Sequence, residues 1–382
     1  MARRLLYLSR TWAMGGAQTI LLTLIRSLPR SEFEIVLAPF DAGEADRTFT
    51  EAAAAAGATI AEPVCWRGFR DWQSATATLR RIIATERIDL VHSHDNLSNT
   101  LVGLGVRPRL PAIATAFGWW ELNAKLKAYY AIERRLVLPR FDAVYTVSHD
   151  MAAKIRRGGT PEARIAVIHT GLDAARFAPR GRRAAVRARL GLGPEALAVG
   201  AVGRVSIEKG HEHLLEAVRR LAPRYPGLTA VLAGTGPDVE RLKQRAAELG
   251  IADRLVMPGY VADATEILEA LDIAALPSVL AEGFPTAAME AQAAGLPIVA
   301  SDIGGTRETL VVGETGFLCP PGDAAALAAT LEPLLADPDL RQRMGAAART
   351  RIASDFTLAG MLQEMGGLYD RVLATSAQAR RR

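Results

Sequence analysis

The chain predicts an α/β protein of two doubly wound, Rossmann-like domains in tandem, with one helix left over at the end. Three observations carry this. Short apolar runs alternate with helix-period segments along nearly all 382 residues, and such alternation implies a parallel sheet wrapped by crossover helices. The stretch "GLDAARFAPRGRRAAVRARLGLGP", residues 171–194, is rich in Gly, Pro and Arg and interrupts the alternation once, which marks it as a linker. The charge also changes sign along the chain. Residues 1–190 hold 28 Lys and Arg against 17 Asp and Glu, whereas residues 191–382 hold 18 against 24.

In the first half, strands are expected at Leu5–Ser9, Glu34–Pro39, Leu90–His92, Ala112–Ala116, Ala143–Val147 and Ile165–Ile168. Helices fall between them, among them Ala17–Leu28, Trp72–Arg87 and Glu121–Leu138. The pattern restarts with strands at Ala198–Val202, Thr229–Ala233, Leu255–Pro258, Ile273–Leu276 and Ile298–Ser301. After Asp323 the chain reads as helical, and the last helix, near Leu358–Ala374, lacks a strand partner. The expected domains are residues 1–175 and 176–357, followed by a crossover helix and basic tail over 358–382. Two such domains leave a cleft between them that faces the C-terminal ends of their strands.

Composition narrows the function classes. With 49% hydrophobic and 23% charged residues, the chain is ordinary for a globular protein. Cys65 and Cys319 lie far apart in no metal-ligand spacing, which argues against a zinc site or disulfide framework and for a reducing, cytoplasmic setting. The apolar run Leu5–Leu8 is too short for a secretion signal, and no stretch reaches the roughly 18 to 20 apolar residues of a spanning helix. The cationic first half suits an anionic partner.

Several constellations could carry chemistry. In "GRVSIEKG", Arg204 and Lys209 flank a helix start, where free backbone N–H groups and the helix dipole favour an anion; the competing reading is two solvated cations. In "AEGFPTAAMEAQAAG", Pro285 suits a first helical turn. The backbone of Gly283, Phe284, Pro285 and Thr286 would then line the cleft, with Glu282 before the helix and Glu290 inside it. A loop glutamate and a solvated helix glutamate are the alternative. "WAMGGAQ" sets Gly15 and Gly16 between the first strand and first helix, permitting either close approach to a ligand or a simple turn. "VHSHD" places His92 and His94 on one face by period two with Asp95 pointing the other way, which favours a hydrogen-bonding role at the cleft over a metal site. "AGTGPD" reads as a tight turn with Pro237 opening a helix, and "DPD" at 337–339 as a capping turn. "WWELNAKLKAYYAIERRLVLPR" mixes Lys125, Lys127, Arg134, Arg135 and Arg140 with Tyr129, Tyr130, Leu136 and Leu138, a pattern suited either to an anionic membrane surface or to ordinary packing.

Taken together, "GGAQ", "VHSHD", "GRVSIEKG", "LAGTGP" and "EGFPTAAMEAQAAGLPIVASDIGGTRE" resemble the retaining glycosyltransferases of family 4, which have the GT-B fold. The resemblance implies a nucleotide-diphosphate sugar in the cleft and a glycan or lipid-linked hydroxyl acceptor, with neither a metal nor another cofactor and no nucleic acid. It implies Arg204 and Lys209 on the diphosphate, Glu282 on the donor sugar and Glu290 on the ribose. Gly15, Gly16, His94 and the backbone of residues 283–286 complete the donor site, and the turn near Tyr260 and Val261 faces the base. It further implies front-side attack with retention, in bacterial surface polysaccharide or glycolipid assembly, at or near the inner face of the membrane. Two positions depart from the family pattern. Phe117 stands where many relatives carry a histidine on the donor sugar, and Thr170 stands where asparagine is common. Phe117 keeps a sugar-nucleotide-binding protein without turnover in play, and a nucleotide-sugar epimerase of the same fold is the third reading.

Overall fold

A computed structural model describes residues 2–10, 15–41, 47–106, 110–119, 123–280 and 282–381. The chain divides into two compact units, one of Met1–Thr170 with Ala359–Arg382 and one of Gly171–Leu358.

In unit 1 the chain runs through β1 (Arg3–Arg10), α1 (Gly16–Ser27), β2 (Phe33–Asp41), α2 (Thr48–Ala55), β3 (Thr59–Ile60), β4 (Val64–Cys65), α3 (Trp72–Thr85), β5 (Leu90–Ser93), α4 (Asn96–Thr100), β6 (Ala112–Ala116), α5 (Ala124–Ile132), β7 (Ala143–Thr146), α6 (His149–Arg157) and β8 (Ile165–Val167). The sheet order is β3-β2-β1-β5-β6-β7-β8, with β4 also paired to β2, and every pairing is parallel. Leu6 and Leu8 of β1 join Val36, Leu79 and Val137 in one core layer, while Leu5 and Tyr7 are equally buried on the opposite face. Burial on both faces is what makes such strands continuous apolar runs.

Unit 2 holds α7 (Arg183–Arg189), β9 (Leu197–Val202), α8 (His211–Leu221), β10 (Leu228–Ala233), α9 (Val239–Glu248), β11 (Leu255–Gly259), α10 (Ala264–Ala270), β12 (Ile273–Leu276), α11 (Thr286–Ala293), β13 (Ile298–Ser301), β14 (Gly316–Cys319), α12 (Ala324–Ala336) and α13 (Pro338–Asp355). Its parallel sheet has the order β11-β10-β9-β12-β13-β14. Helix α8 illustrates the packing: Leu214, Leu215, Val218 and Leu221 are buried along one stripe, with Glu212 in the first turn and Arg219 and Arg220 in the last. That arrangement combines an apolar face with favourable dipole charges at both ends. The final helix α14 (Leu358–Arg381) returns the chain to unit 1, where Tyr369 packs against Phe33 with ring centroids 5.5 Å apart.

Several expectations change. Strands β3, β4 and β14 are additional; the first two have only two residues each, too few for a periodic signal. Helix α9 begins at Val239 with Asp238 as its cap, two residues beyond Pro237. The helix expected over 121–138 begins, within the described residues, at Ala124, and Glu121 lies outside them. It then widens into a π-helical turn at Glu133–Val137 and tightens at Leu138–Arg140.

The largest change concerns the linker. Residues 171–194 include a turn at Ala174–Phe177 as well as α7, and the arginines of the stretch lock it onto unit 2. Arg187 is 7% exposed and donates to the carbonyls of Ala270, Gly193 and Ala196, with a carboxylate oxygen of Asp272 at 3.3 Å. Replacing Arg187 by Ala leaves the buried Ala270 carbonyl and three part-buried acceptors without this donor, and we expect a loss of about 3 kcal/mol. Arg189→Ala removes only an exposed partner of Glu266 and is expected to cost under about 1 kcal/mol. Urea unfolding midpoints of the two variants against the parent check this, and equal midpoints would refute the docked arrangement.

Candidate functional site

Strand order positions the residues of unit 2. The sequence of connections reverses between β9 and β12, so the loops that leave the ends of these neighbouring strands run to opposite sides and open a crevice. The loop after β9 carries residues 203–210, and the loop after β12 carries residues 277–285. They are stitched by Val279 N–H donating to the Glu208 carbonyl at 2.9 Å. Two glycines permit the closeness. Gly210 has φ +61°, and a Cβ there would lie 2.1 Å from the Pro277 carbonyl oxygen. Gly304, after β13, has φ +57°, with the Glu282 carbonyl oxygen 2.2 Å from the corresponding position. Any side chain would therefore force these loops apart.

Lys209 and Glu282 meet across the crevice. Lys209 Nζ donates to Glu282 Oε1 at 2.7 Å, and the Ser278 hydroxyl donates to the same oxygen at 2.7 Å. The side chains are 25% and 14% exposed, so the pair is shielded more than a surface ion pair. Oε2 accepts no hydrogen bond among the described residues, which leaves it available to a hydroxyl donor. Arg204 is placed differently: its guanidinium pairs with Glu208 on its own loop, and Ser206 Oγ donates to that carboxylate at 2.6 Å.

Helix α11 begins at Thr286, with Pro285 as its N-cap residue in extended conformation. Proline has no N–H, so Gly283, Phe284 and Thr286 are the backbone donors of this turn. The Phe284 side chain is buried against Phe356, centroids 5.4 Å apart, and holds the turn from behind. Glu290 lies between buried Met289 and Ala291. Its carboxyl makes no hydrogen bond or ion pair among the described residues, and burial pushes its pKa up to about 7 despite the nearby positive charge of Arg176. The turn that bears Arg176 packs on α11.

Sequence reasoning missed Ser278, Arg176 and His211. Ser278 follows β12 directly, a position at a strand end that marks a ligand loop. Arg176 sits in the stretch read as linker. His211 opens α8 with Nδ1 buried and unpartnered among the described residues, and burial with Lys209 nearby lowers its pKa to about 4. Tyr260 is 76% exposed and, with Val261, borders a hollow lined also by Arg189, Pro258 and Ile267.

In unit 1 the order likewise reverses between β1 and β5. Gly15 caps α1 after β1, with extended φ and ψ; the preceding Trp12–Met14 lie outside the described residues. His94 follows β5 and is 3% exposed. Asp95 caps α4 through the Leu97 and Ser98 amides at 3.0 Å, so its carboxylate is engaged away from both histidines. Phe117 is half-buried, its ring edge-on to Tyr145 at 6.0 Å. Asp337 caps α13 through the Leu340 N–H at 2.9 Å, in keeping with a capping turn. Along 124–140, Tyr130 and Leu138 turn inward and the Tyr129 hydroxyl donates to the Asn96 carbonyl. The outward apolar residues are instead Ile132 and Leu136, 48% and 52% exposed, among exposed Lys125, Lys127, Arg135 and Arg140. Among the described residues no helix is long and apolar enough to cross a membrane.

A cation beside a helix N-terminus, with two carboxylates able to accept from hydroxyls, is an arrangement for an anionic, polyhydroxylated ligand. Comparisons with known proteins identify the family. Residues 14–176 match the family described as Glycosyltransferase Family 4, and residues 183–351 match Glycosyl transferases group 1. The chain is 33% identical over 314 residues to a D-inositol 3-phosphate glycosyltransferase of Corynebacterium efficiens, covering 76% of this chain and 72% of that protein. It is 36% identical over 282 residues to a glycogen synthase of Mycobacterium tuberculosis, covering 71% of this chain and 66%, just under two thirds, of that protein. In structure it is similar to Anabaena Alr3699/HepE in complex with UDP-glucose, with a TM-score of 0.82 at 21% identity over 96% and 99% of the two chains. These matches and the two parallel α/β units lead to one conclusion: the chain belongs to the group 1, family 4 glycosyltransferases and has their GT-B fold.

Proposed function

We propose that the protein transfers a sugar, with retention of configuration, from a nucleotide-diphosphate sugar to a hydroxyl of a glycan or lipid-linked acceptor in bacterial surface polysaccharide or glycolipid assembly. The observation that carries this reading is the contact of Lys209 with Glu282 beside the start of α11. On this reading Lys209, with Arg204 turning from Glu208, balances the leaving diphosphate without a metal or other cofactor, as fixed cations can. Glu282 Oε2 accepts from a hydroxyl of the donor sugar, and Glu290 accepts from the ribose. Gly15, Gly16 and His94 serve the donor from unit 1. UDP-glucose is the first donor to test, because the structurally similar HepE is seen with it. Lys209→Ala is expected to lower kcat at least about a hundredfold, and Glu282→Ala to lower kcat/KM by about ten- to a hundredfold. Transfer rates that match the parent in both variants would overturn the assignment.

Glu290 supplies a pH test. Its pKa near 7 in the free protein leaves it largely protonated at pH 6 and largely charged at pH 8. A carboxylate accepts from both ribose hydroxyls, whereas the protonated acid loses an acceptor. Affinity for UDP-glucose should therefore rise about tenfold from pH 6 to pH 8, and Glu290→Gln should flatten that dependence. Titration calorimetry reads both; a flat profile in the parent removes Glu290 from the ligand.

A second reading, a sugar-nucleotide-binding protein without turnover, is favoured by Phe117, which offers an apolar ring where a hydrogen-bond donor is common in the family. Donor binding with no transfer to any acceptor would decide for it. Membrane attachment is a separate proposal, supported by Ile132 and Leu136 standing outward among four exposed cations. Vesicles with anionic lipid should sediment the parent at low salt, less so at high salt, and much less with both residues changed to Glu. Equal sedimentation of parent and variant would refute this face.

A further inference from the structure

Five buried groups of unit 1 form one unbroken hydrogen-bond chain that ends at His94. The Tyr7 and Tyr369 hydroxyls are 2.7 Å apart, and the Tyr369 hydroxyl lies 2.9 Å from His92 Nδ1. His92 Nε2 is 2.8 Å from the Thr115 hydroxyl oxygen, which lies 3.3 Å from His94 Nδ1. None of the five side chains belongs to an exposed residue; Tyr7, Tyr369 and His92 are 0% exposed, Thr115 2% and His94 3%. The last atom, His94 Nε2, is buried and has no partner among the described residues. Burial holds both imidazoles neutral, His92 with a pKa of about 3.

A neutral imidazole carries one N–H and each hydroxyl one hydrogen, so the chain can run head to tail in two directions, whereas any mixed arrangement makes one hydroxyl accept twice and leaves both its own hydrogen and the His94 Nε2 lone pair unmatched. In the first, Tyr7 donates to Tyr369, Tyr369 to His92 Nδ1, His92 Nε2–H to Thr115, and Thr115 to His94 Nδ1. The only unmatched group is then the His94 Nε2–H. In the second, every bond is reversed. The Tyr7 hydroxyl hydrogen then has no acceptor in the chain and the His94 Nε2 lone pair has no donor, so two buried polar groups are unmatched instead of one. Buried polar groups left unmatched are costly, and the first direction wins.

We infer that Tyr369, on the last helix, is a positioning residue that acts through His92 and Thr115 to hold His94 in its Nε2–H form, so that His94 offers a hydrogen-bond donor to an oxygen of the bound ligand. The inference rests on the proposed placement of His94 at the donor. The fixed tautomer gives the ring a preference for acceptor oxygens, such as a sugar ether or hydroxyl oxygen or a phosphoryl oxygen, over N–H donors. It also gives the returning helix a chemical role at the strand end in addition to packing. Tyr7 contributes less, because Tyr369 keeps its own hydrogen for His92 whether or not Tyr7 donates to it.

Long-range proton–nitrogen NMR of the full chain, with nitrogen-15 in the histidine rings, reads the tautomer of each imidazole. In the parent, His92 and His94 should both carry the proton on Nε2, unchanged from pH 6 to pH 8. Thr115→Val should turn His94 into a mixture of both N–H forms, Thr115→Ser should restore the single form, and Tyr7→Phe should leave it intact. Tyr369→Phe should bring mixed forms at both rings. A parent His94 protonated on Nδ1, or a His94 tautomer indifferent to Thr115→Val and Tyr369→Phe, overturns the inference; the serine variant covers the case in which the valine variant does not fold. Added UDP-glucose should then move the His94 Nε2 signal. If it stabilises the protein against heat but leaves that signal still, the contact with the donor is refuted. If it neither stabilises the protein nor moves the signal, UDP-glucose is excluded as the donor while the tautomer result stands on its own.

Discussion

The reversal of strand order at the centre of each parallel sheet is the constraint on which the rest depends. Where β9 and β12 lie side by side, their following crossovers must leave on opposite faces. The two loops therefore leave the sheet at the crevice between neighbouring strand ends. Lys209 reaches Glu282 there, 73 positions along the chain, because adjacent strand ends bring the loops together. Gly210 and Gly304 are the consequence in sequence: each sits where a Cβ would strike the opposite backbone.

The two glutamates of this region are held in opposite electrostatic states. Glu282 has a lysine and a serine hydroxyl on one oxygen, so its charge is matched within the protein and its orientation is set before anything binds. Glu290 has no such partner and lies deep enough for burial to raise its pKa to about 7. A group of this kind works against stability once charged, since its folded-state pKa exceeds the ordinary 4.5; its stabilising contribution is complete below about 4.5 and is lost as pH rises through about 7. An unmatched carboxyl inside a helix of small residues is poor for folding alone, and on the proposed function the hydroxyls of a ligand supply the missing donors. The difference between the pair thus fits two ends of one ligand better than an acid and base couple.

How much of this the sequence carried depended on the range of the interaction. Strands such as β1, β2 and β9 were legible because burial on both faces writes itself as an apolar run, and the motif around residues 282–290 was legible because its residues lie within two helical turns. The short β3 and β4 were not, since pairing at two residues leaves no period to read. Arg187 misled for another reason. Arginine in a Gly- and Pro-rich stretch reads as part of a linker, and only the fold reveals three carbonyls and Asp272 converging on it. The partner of Lys209 and the chain from Tyr369 to His94 are long-range contacts with no local signature. Period two placed His92 and His94 on one face, but which of them keeps a free nitrogen follows from Thr115 and Tyr369, 21 and 275 residues beyond His94.

Unit 1 uses the same reversal with different chemistry. Beside β1 and β5 the hydrogen-bond chain is built of neutral groups, two uncharged histidines, two tyrosines and a threonine, all buried, while the Asp95 carboxylate is taken up by the Leu97, Ser98 and Arg10 amides. Neutral groups at such depth can select by direction of hydrogen bonding, whereas on the proposed function the lysine and carboxylates of unit 2 select by charge. The excess of cations in the first half is accordingly found elsewhere, in part on the face of Lys125, Lys127, Arg135 and Arg140. Phe117 fits this division. Its ring meets Tyr145 edge-on at the end of β6 and adds apolar surface beside Thr115 without adding a donor, which leaves His94 Nε2 as the one unmatched ring nitrogen of the histidine pair. If unit 1 recognises a donor sugar, this nitrogen can do it with a defined direction. On that inference, a chain with Phe117 after β6 has His94, at the end of the neighbouring β5, as its neutral hydrogen-bond donor, aligned by Tyr369 of α14.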